Sequence, residues 1–284
     1  MRVSTSLNVY ARFVKEYSYN YEGIMDRAIA CGFRCFDFSC GNFARIDSFY
    51  TAANWRDNVK RIQEYAQKRD VEFFQSHASM TPDDHALIRK SIEAAALVGA
   101  SWTVLHPWEL PGMEKEDRIA RNVEIIRPFA EFARKHNIGL AIENMAKTMY
   151  WYGEKVSTEG FCDADELIPL VDQLNAEFGN VGVCWDTGHA NLSMESQYED
   201  IIKLGQRLKV THIADNKSQG DDHMPPFYGT TDFGAIMKAL KEIEYQGTFN
   251  FETHYFTNGL PDELVDEGVK LLYRIGRFVC KEEE

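Results

Sequence analysis

With 284 residues, 44% of them hydrophobic and 26% charged, the chain has the composition of a folded globular protein and not of a disordered one. Its formal net charge of −13 sets up a long-range field that repels polyanions, which weighs against a nucleic-acid binder. No stretch approaches the ~20 consecutive apolar residues of a membrane span, and Met1-Arg2 leads into Val3-Ser4-Thr5-Ser6-Leu7 without the apolar core of a signal peptide, so a soluble, cytoplasmic protein is expected.

Strand candidates rich in β-branched and aromatic residues begin near Val3, Phe33, Val71, Trp102, Ile138, Val181, Val210 and Gly247. Helical periodicity fills the intervals. Trp55, Val59, Ile62 and Ala66 share a face, as do Ile119, Val123, Ile126, Ala130 and Ala133, and again Phe233, Ile236, Leu240 and Ile243. Gly32, Gly99, Asn137, Gly179 and Gly247 stand where a left-handed residue would end a helix before a strand, and Pro128 is expected to kink the fourth helix. Eight alternations without an antiparallel block predict a single (β/α)8 TIM barrel occupying residues 1–284 as one domain, about the usual size of that fold. No Gly-x-Gly-x-x-Gly or phosphate loop follows any strand, so a nucleotide cofactor is not expected. The six cysteines, Cys31, Cys35, Cys40, Cys162, Cys184 and Cys280, have no paired two-residue spacing and read as reduced, mostly buried thiols. Lys281-Glu282-Glu283-Glu284 reads as a frayed, solvated end.

The polar residues that close the apolar runs carry the chemistry. Asp37, His77, His106, Glu143, Asp186 with His189, His212 and Glu252 each end or follow a strand, and a barrel brings its C-terminal strand ends to one mouth. Glu143, Asp186, His212 and Glu252 offer three carboxylates and one imidazole, a donor set for a fairly hard divalent ion: Mn²⁺ first, with Co²⁺, Mg²⁺ or Zn²⁺ as alternatives. His77, His106, His189, Asp221 and His223 stand around them as additional metal or substrate ligands, and would favour zinc and more than one ion if they bind metal. The bland readings are a hydrogen-bonded pocket for His77 and His106, helix caps for Asp37 and Asn8, and a solvated turn for Asp221-Asp222-His223. Glu143 resists such a reading, because a carboxylate closing Gly139-Leu140-Ala141-Ile142 requires a cation or proton partner, and Glu252 has the same setting. Met145, Met149, Tyr150, Trp151 and Tyr152, with Trp108, Phe227 and Tyr228, are candidates to pack on the apolar face of a bound ring; Trp108, Trp151 and Lys217 are the expected substrate contacts.

Ala141-Ile142-Glu143-Asn144, Trp185-Asp186-Thr187-Gly188-His189, Thr211-His212-Ile213-Ala214-Asp215-Asn216 and Asp221-Asp222-His223 before Gly229-Thr230-Thr231-Asp232-Phe233 resemble the xylose isomerase-like barrel superfamily. That group, also described as the AP endonuclease family 2 fold, contains sugar phosphate isomerases and epimerases, ketose 3-epimerases, inosose dehydratase and endonuclease IV. Likeness to the ketose 3-epimerases implies that Glu143, Asp186, His212 and Glu252 bind the metal. It also implies that Glu143 and Glu252 exchange protons with opposite faces of the substrate carbon, while His189 holds a substrate oxygen. The expected function is therefore a metal-dependent isomerase or epimerase of a small sugar, sugar phosphate or polyol, acting through a metal-stabilised enediolate, with homo-oligomer formation in view. Two departures keep alternatives open. Ser218 beside Lys217 stands where some ketose epimerases have arginine. The nine ligand types of the endonuclease IV tri-zinc cluster all have counterparts, at His77, His106, Glu143, Asp186, His189, His212, Asp221, His223 and Glu252. A zinc phosphodiesterase, for which the loop from Gly41 to Tyr50 would supply a DNA wedge, and a sugar or inosose dehydratase are the rivals.

Overall fold

A period of two runs through every barrel strand and decides what lies inside. In the computed structural model, which describes residues 1–13, 20–39, 52–79, 82–151, 154–157, 160–193 and 196–281, the chain begins with β1 (Val3–Ser6) and a short 3₁₀ turn (Leu7–Phe13). It continues through α1 (Tyr21–Ala30), β2 (Cys35–Ser39), α2 (Trp55–Gln67), β3 (Glu72–His77), α3 (His85–Val98), β4 (Trp102–Leu105), α4 (Lys115–Lys135) and β5 (Gly139–Glu143). A hairpin of β6 (Thr148–Trp151) and β7 (Glu154–Ser157), described as backbone alone, leads to α5 (Ala164–Phe178) and β8 (Val181–Asp186). The short α6 (Thr187–Ser193), α7 (Gln197–Leu204), β9 (Leu208–His212), α8 (Phe233–Glu242), β10 (Phe249–Phe251) and α9 (Val265–Cys280) complete it.

Eight strands form one parallel sheet in the order β10-β1-β2-β3-β4-β5-β8-β9. The two edges meet where Ile213 N–H donates to Asn250 O at 2.7 Å and Glu252 N–H donates to Ile213 O at 3.0 Å, so the sheet is a single (β/α)8 barrel. Leu140, Ile142, Val183, Trp185, Phe249 and Phe251 point outward into the main core beneath the helices, while Val104, Ala141, Cys184 and Val210 form a small separate layer inside. Alternation then dictates that Glu143, Asp186, His212 and Glu252, two residues beyond Ala141, Cys184, Val210 and Asn250, face inward at the C-terminal mouth. The floor is closed by Phe74 and Trp102, and a Cβ on Gly139 would lie 2.2 Å from the Trp102 ring.

The helical stripes bury as expected: Trp55, Val59, Ile62 and Ala66 in α2, Ile119, Val123, Ile126, Ala130 and Ala133 in α4, and Phe233, Ile236 and Leu240 in α8. Gly32, Gly99, Gly179 and Asn137 have φ of 116°, 93°, 73° and 57°, as their capping positions require. Gly247 does not. The left-handed residue after α8 is Glu244 at φ 53°, and Gly247 is small for another reason, since a Cβ there would sit 2.6 Å from the carbonyl oxygen of Lys209. α4 runs through Pro128 as one 21-residue helix. The hairpin β6–β7 and the short helix α6 escaped the sequence pattern, because a two-stranded ribbon and a two-turn helix are too short to show a period. Cys31, Cys35, Cys162 and Cys184 are buried, Cys280 is partly buried, and Cys40 lies outside the described residues. No described helix is long and apolar enough to cross a membrane. Residues 41–50, proposed as a wedge, and the acidic residues 282–284 also lie outside the described residues.

Candidate metal centre

Each donor is fixed by the element that carries it. Asp186 ends β8 and opens α6, so its Oδ1 accepts the His189 N–H at 2.7 Å as a helix cap, leaving Oδ2 to face the barrel axis. The fully buried Asn144 grips the same residue from β5: its Nδ2 donates to Asp186 O at 3.0 Å and its Oδ1 accepts the Asp186 N–H at 2.6 Å. Asn216, also buried, donates to Gly188 O at 2.9 Å and holds the start of α6 against the loop after β9. Asp215 ties that loop down, accepting from Gly229 N–H at 2.7 Å and Thr231 N–H at 3.1 Å.

Donor atoms of Glu143, Asp186, His212 and Glu252 all lie within 4.8 Å of one another, in a buried cluster. His212 Nδ1 faces all three carboxylates, at 2.8 Å from Glu143 Oε1, 3.3 Å from Glu252 Oε2 and 4.0 Å from Asp186 Oδ2. Its Nε2 is 3.7 Å from Asp37 Oδ2. That carboxylate is itself held by Gln75 Nε2 at 3.0 Å and Asn250 Nδ2 at 3.3 Å, so Asp37 backs the imidazole and caps no helix.

Two further groups flank the cluster. His77 Nε2 and His106 Nε2, 3.2 Å apart, approach Glu143 Oε2 at 3.3 and 3.0 Å. On the other side Asp221 Oδ2 lies 2.9 Å from His223 Nε2 and 3.5 Å from His189 Nε2. The Nδ1 atoms of His77, His189 and His223 are each 2.9 Å from a backbone carbonyl oxygen, of Ala78, Asn144 and Glu252, an arrangement that turns each Nε2 toward the acids.

Electrostatics show what the donor set lacks. Burial lifts the Asp186 carboxyl to about 7, and the neighbouring Glu252, Glu143 and Asp221 push the same way against His189. Burial also works against ionised Glu143, but His212 and His106 outweigh it and hold the carboxyl well below its usual range. Burial would discharge His189, His212 and His223; Cys184 beside His212, and carboxylate neighbours beside all three, instead raise them, His223 to about 10. Imidazolium protons thus neutralise the acids. Glu143 Oε2, Asp186 Oδ2 and Asp221 Oδ1 remain buried without a hydrogen-bond partner. Acids that must borrow protons, with orphaned oxygens on two members, Glu143 and Asp186, of one four-donor cluster, fit a divalent cation.

A cavity of about 200 Å³ opens onto this centre, lined by Glu143, Glu252, His77, His106, His189 and His223 together with Ser6, Asn8, Asp37, Ser39, His254 and Tyr255. Ser39, His254 and Tyr255 went unassigned in the sequence, and Asn8 was read there only as a helix cap. Asn8 donates to Ser39 Oγ at 3.0 Å and approaches His254 Nε2 at 3.4 Å, so it lines the cavity and is no mere cap. The signal for His254 was its place two residues past Glu252, on the same face. Among the expected substrate contacts, Trp108 lines a neighbouring cleft, Lys217 is exposed and outside the cavity lining, and the Trp151 side chain lies outside the description. Phe227, 61% exposed, packs near Phe233 and Phe278 on the outer wall, and Tyr228 near Phe256, so neither lines the cavity.

An eight-stranded parallel barrel with a cation-type donor set at its C-terminal mouth defines a TIM-barrel protein of the enzyme-like kind. The sequence model of the xylose isomerase-like TIM barrel family matches residues 25–275, and the chain belongs to that family. It is 29% identical over 202 residues to the uncharacterized protein y4fM of Sinorhizobium fredii, a match covering 66% of this chain and 58% of that protein. It is 21% identical over 268 residues to the D-psicose 3-epimerase of Enterocloster bolteae, covering 88% of this chain and 82% of that one. The crystal structure of a D-tagatose 3-epimerase-like protein superposes with a TM-score of 0.73 at 20% identity, over 99% of both chains, which shows the same fold.

Proposed function

We propose that this protein is a divalent-metal-dependent isomerase or epimerase of a small sugar or sugar derivative. The observation that carries the reading is the split within the donor set: Glu143 and Glu252 line the cavity, whereas Asp186 and His212 sit behind them, fully buried. Two carboxylates exposed to the same ligand can take a proton from one face of a carbon and return one to the other. The likeness to a D-psicose 3-epimerase over most of both chains supports the same reading.

Glu143, Asp186, His212 and Glu252 would hold the ion, which when bound would polarise the oxygens of an α-hydroxy ketone and acidify the C–H of the hydroxyl-bearing carbon next to the carbonyl. The remaining steps belong to the chain. His189, anchored through Nδ1 to Asn144 O, is oriented to donate from Nε2 to a substrate oxygen. Asn8, Ser6, Ser39 and His254 offer neutral donors and acceptors for hydroxyl groups. Burial and the positive charge of His223 hold the His254 imidazole neutral, near 4, so it can accept as well as donate.

Glu252→Gln should lower turnover by ~10²–10⁴-fold, since an amide cannot take the proton. In deuterated water the wild-type product should carry deuterium at the reacting carbon. Product formed without solvent deuterium would falsify the two-carboxylate scheme. The convergence of His77 and His106 on Glu143, and of His189 and His223 on Asp221, supports a second reading as a multi-zinc phosphodiesterase. Metal analysis separates the two: about one Mn²⁺ or Co²⁺ per chain supports the isomerase, and two or three zinc ions with cleavage of an abasic-site duplex support the hydrolase.

A further inference from the structure

The cavity over the carboxylates, at about 200 Å³, is smaller than the ~300–1,000 Å³ usual for ligand sites. Its wall at His106 is shared with a second cleft of about 450 Å³, which lies between the loops after β3, β4 and β5. Leu105, Pro107 and Met145 give that cleft a buried apolar lining, and Trp108 stands over it.

Trp108 is held rigidly. Its backbone N–H donates to Asn122 Oδ1 at 2.7 Å and its backbone carbonyl accepts from Asn122 Nδ2 at 3.0 Å, and Asn122 is wholly buried in α4. The indole stacks on Phe129 at 5.8 Å with planes 6° apart, and His85 meets both rings edge-on. A pinned aromatic plane beside an apolar lining suits the C–H face of a pyranose, and fixing it in advance spares the ordering cost of binding. The charges at the rim are Asp83 and Glu109, both exposed, and no described lysine or arginine lines either cavity. A phosphate in the second cleft would meet Asp83 and Glu109 with no described lysine or arginine in its lining.

We propose that this cleft is a second subsite for a neutral glycosyl ring, so that the substrate is an uncharged, glycosylated sugar larger than a monosaccharide and not a sugar phosphate. The inference rests on the carbohydrate reading of the first cavity.

Calorimetric titration of the Mn²⁺-supplemented protein with D-fructose, D-fructose 6-phosphate and the five glucosyl-fructoses linked through O1, O3, O4, O5 and O6 tests it, because these are all the linkages that leave the ketone carbon unsubstituted. At least one disaccharide should bind about tenfold or more tightly than fructose. Asp83→Trp, which fills the cleft from its exposed rim, should erase that advantage, and Trp108→Ala should shrink it. Fructose binding with no gain for any disaccharide overturns the second subsite and leaves the sugar reading standing. Tighter binding of the phosphate ester overturns the claim of a neutral substrate. Binding of none of these sugars overturns the subsite and the carbohydrate reading together. A disaccharide advantage that survives Asp83→Trp also overturns the assignment of this cleft.

Discussion

Asn144 touches no predicted substrate atom, yet its amide does for Asp186 what an extra rung of sheet would do. Both backbone groups of Asp186 are satisfied by one side chain, so the orphaned Oδ2 cannot swing away from His212. Asn144→Ala should therefore weaken Mn²⁺ binding by roughly 10–100-fold with the barrel intact, read by electron paramagnetic resonance of free Mn²⁺ beside circular dichroism. Unchanged affinity would sink the role assigned to Asn144. A second residue-scale expectation concerns Cys35, which burial pushes from about 9 up to about 12. Above pH 9 the unfolded chain has lost a proton that the native chain keeps. Stability is therefore full below pH 9 and falls toward pH 12, with a slope of up to about 1.4 kcal/mol per pH unit. Urea midpoints measured in reductant from pH 8.5 to 11 should fall less steeply for Cys35→Val than for the parent.

Elements owe their ends to capping chemistry that the sequence spelled out only in part. Asp84, Asp163 and Asp232 accept the N–H groups of Leu87, Glu166 and Ala235 at 2.9, 3.1 and 3.0 Å, capping α3, α5 and α8. Asp232→Ala should cost about 1 kcal/mol, visible as a lower urea midpoint with an unchanged slope. If the midpoint does not move, α8 is held by its buried face alone. The long helices were legible because Trp55, Val59, Ile62 and Ala66, or Ile119 through Ala133, repeat the helical period over several turns. α4 continues through Pro128 because a proline loses one hydrogen bond, whereas the helix recovers far more from its buried face, including Ile126, Phe129 and Ala130.

At the scale of the molecule, one mouth gathers a large share of the titratable chemistry. Six of the eight histidines, His77, His106, His189, His212, His223 and His254, lie in or beside the cavity, in a chain of net charge −13. Because ligands that bind only the native state add stability, Mn²⁺ at 100 times its Kd should add about 2.7 kcal/mol, a rise in Tm of roughly 4–5 °C. Excess chelator should reverse it in a thermal scan. Equal Tm values with Mn²⁺, Co²⁺, Zn²⁺ and chelator would contradict the proposed metal centre.

The strand count, the barrel and the inward march of Glu143, Asp186, His212 and Glu252 were readable from the sequence alone, since a period of two and the closure of a parallel sheet leave those residues no other place to point. Tertiary structure decided what periodicity cannot encode. That Asp37 backs His212, that Asn8 and His254 meet across the cavity, and that Trp108 faces a cleft of its own all depend on contacts between residues distant in the chain. Each such meeting is set by barrel register and by loops whose course no local propensity fixes.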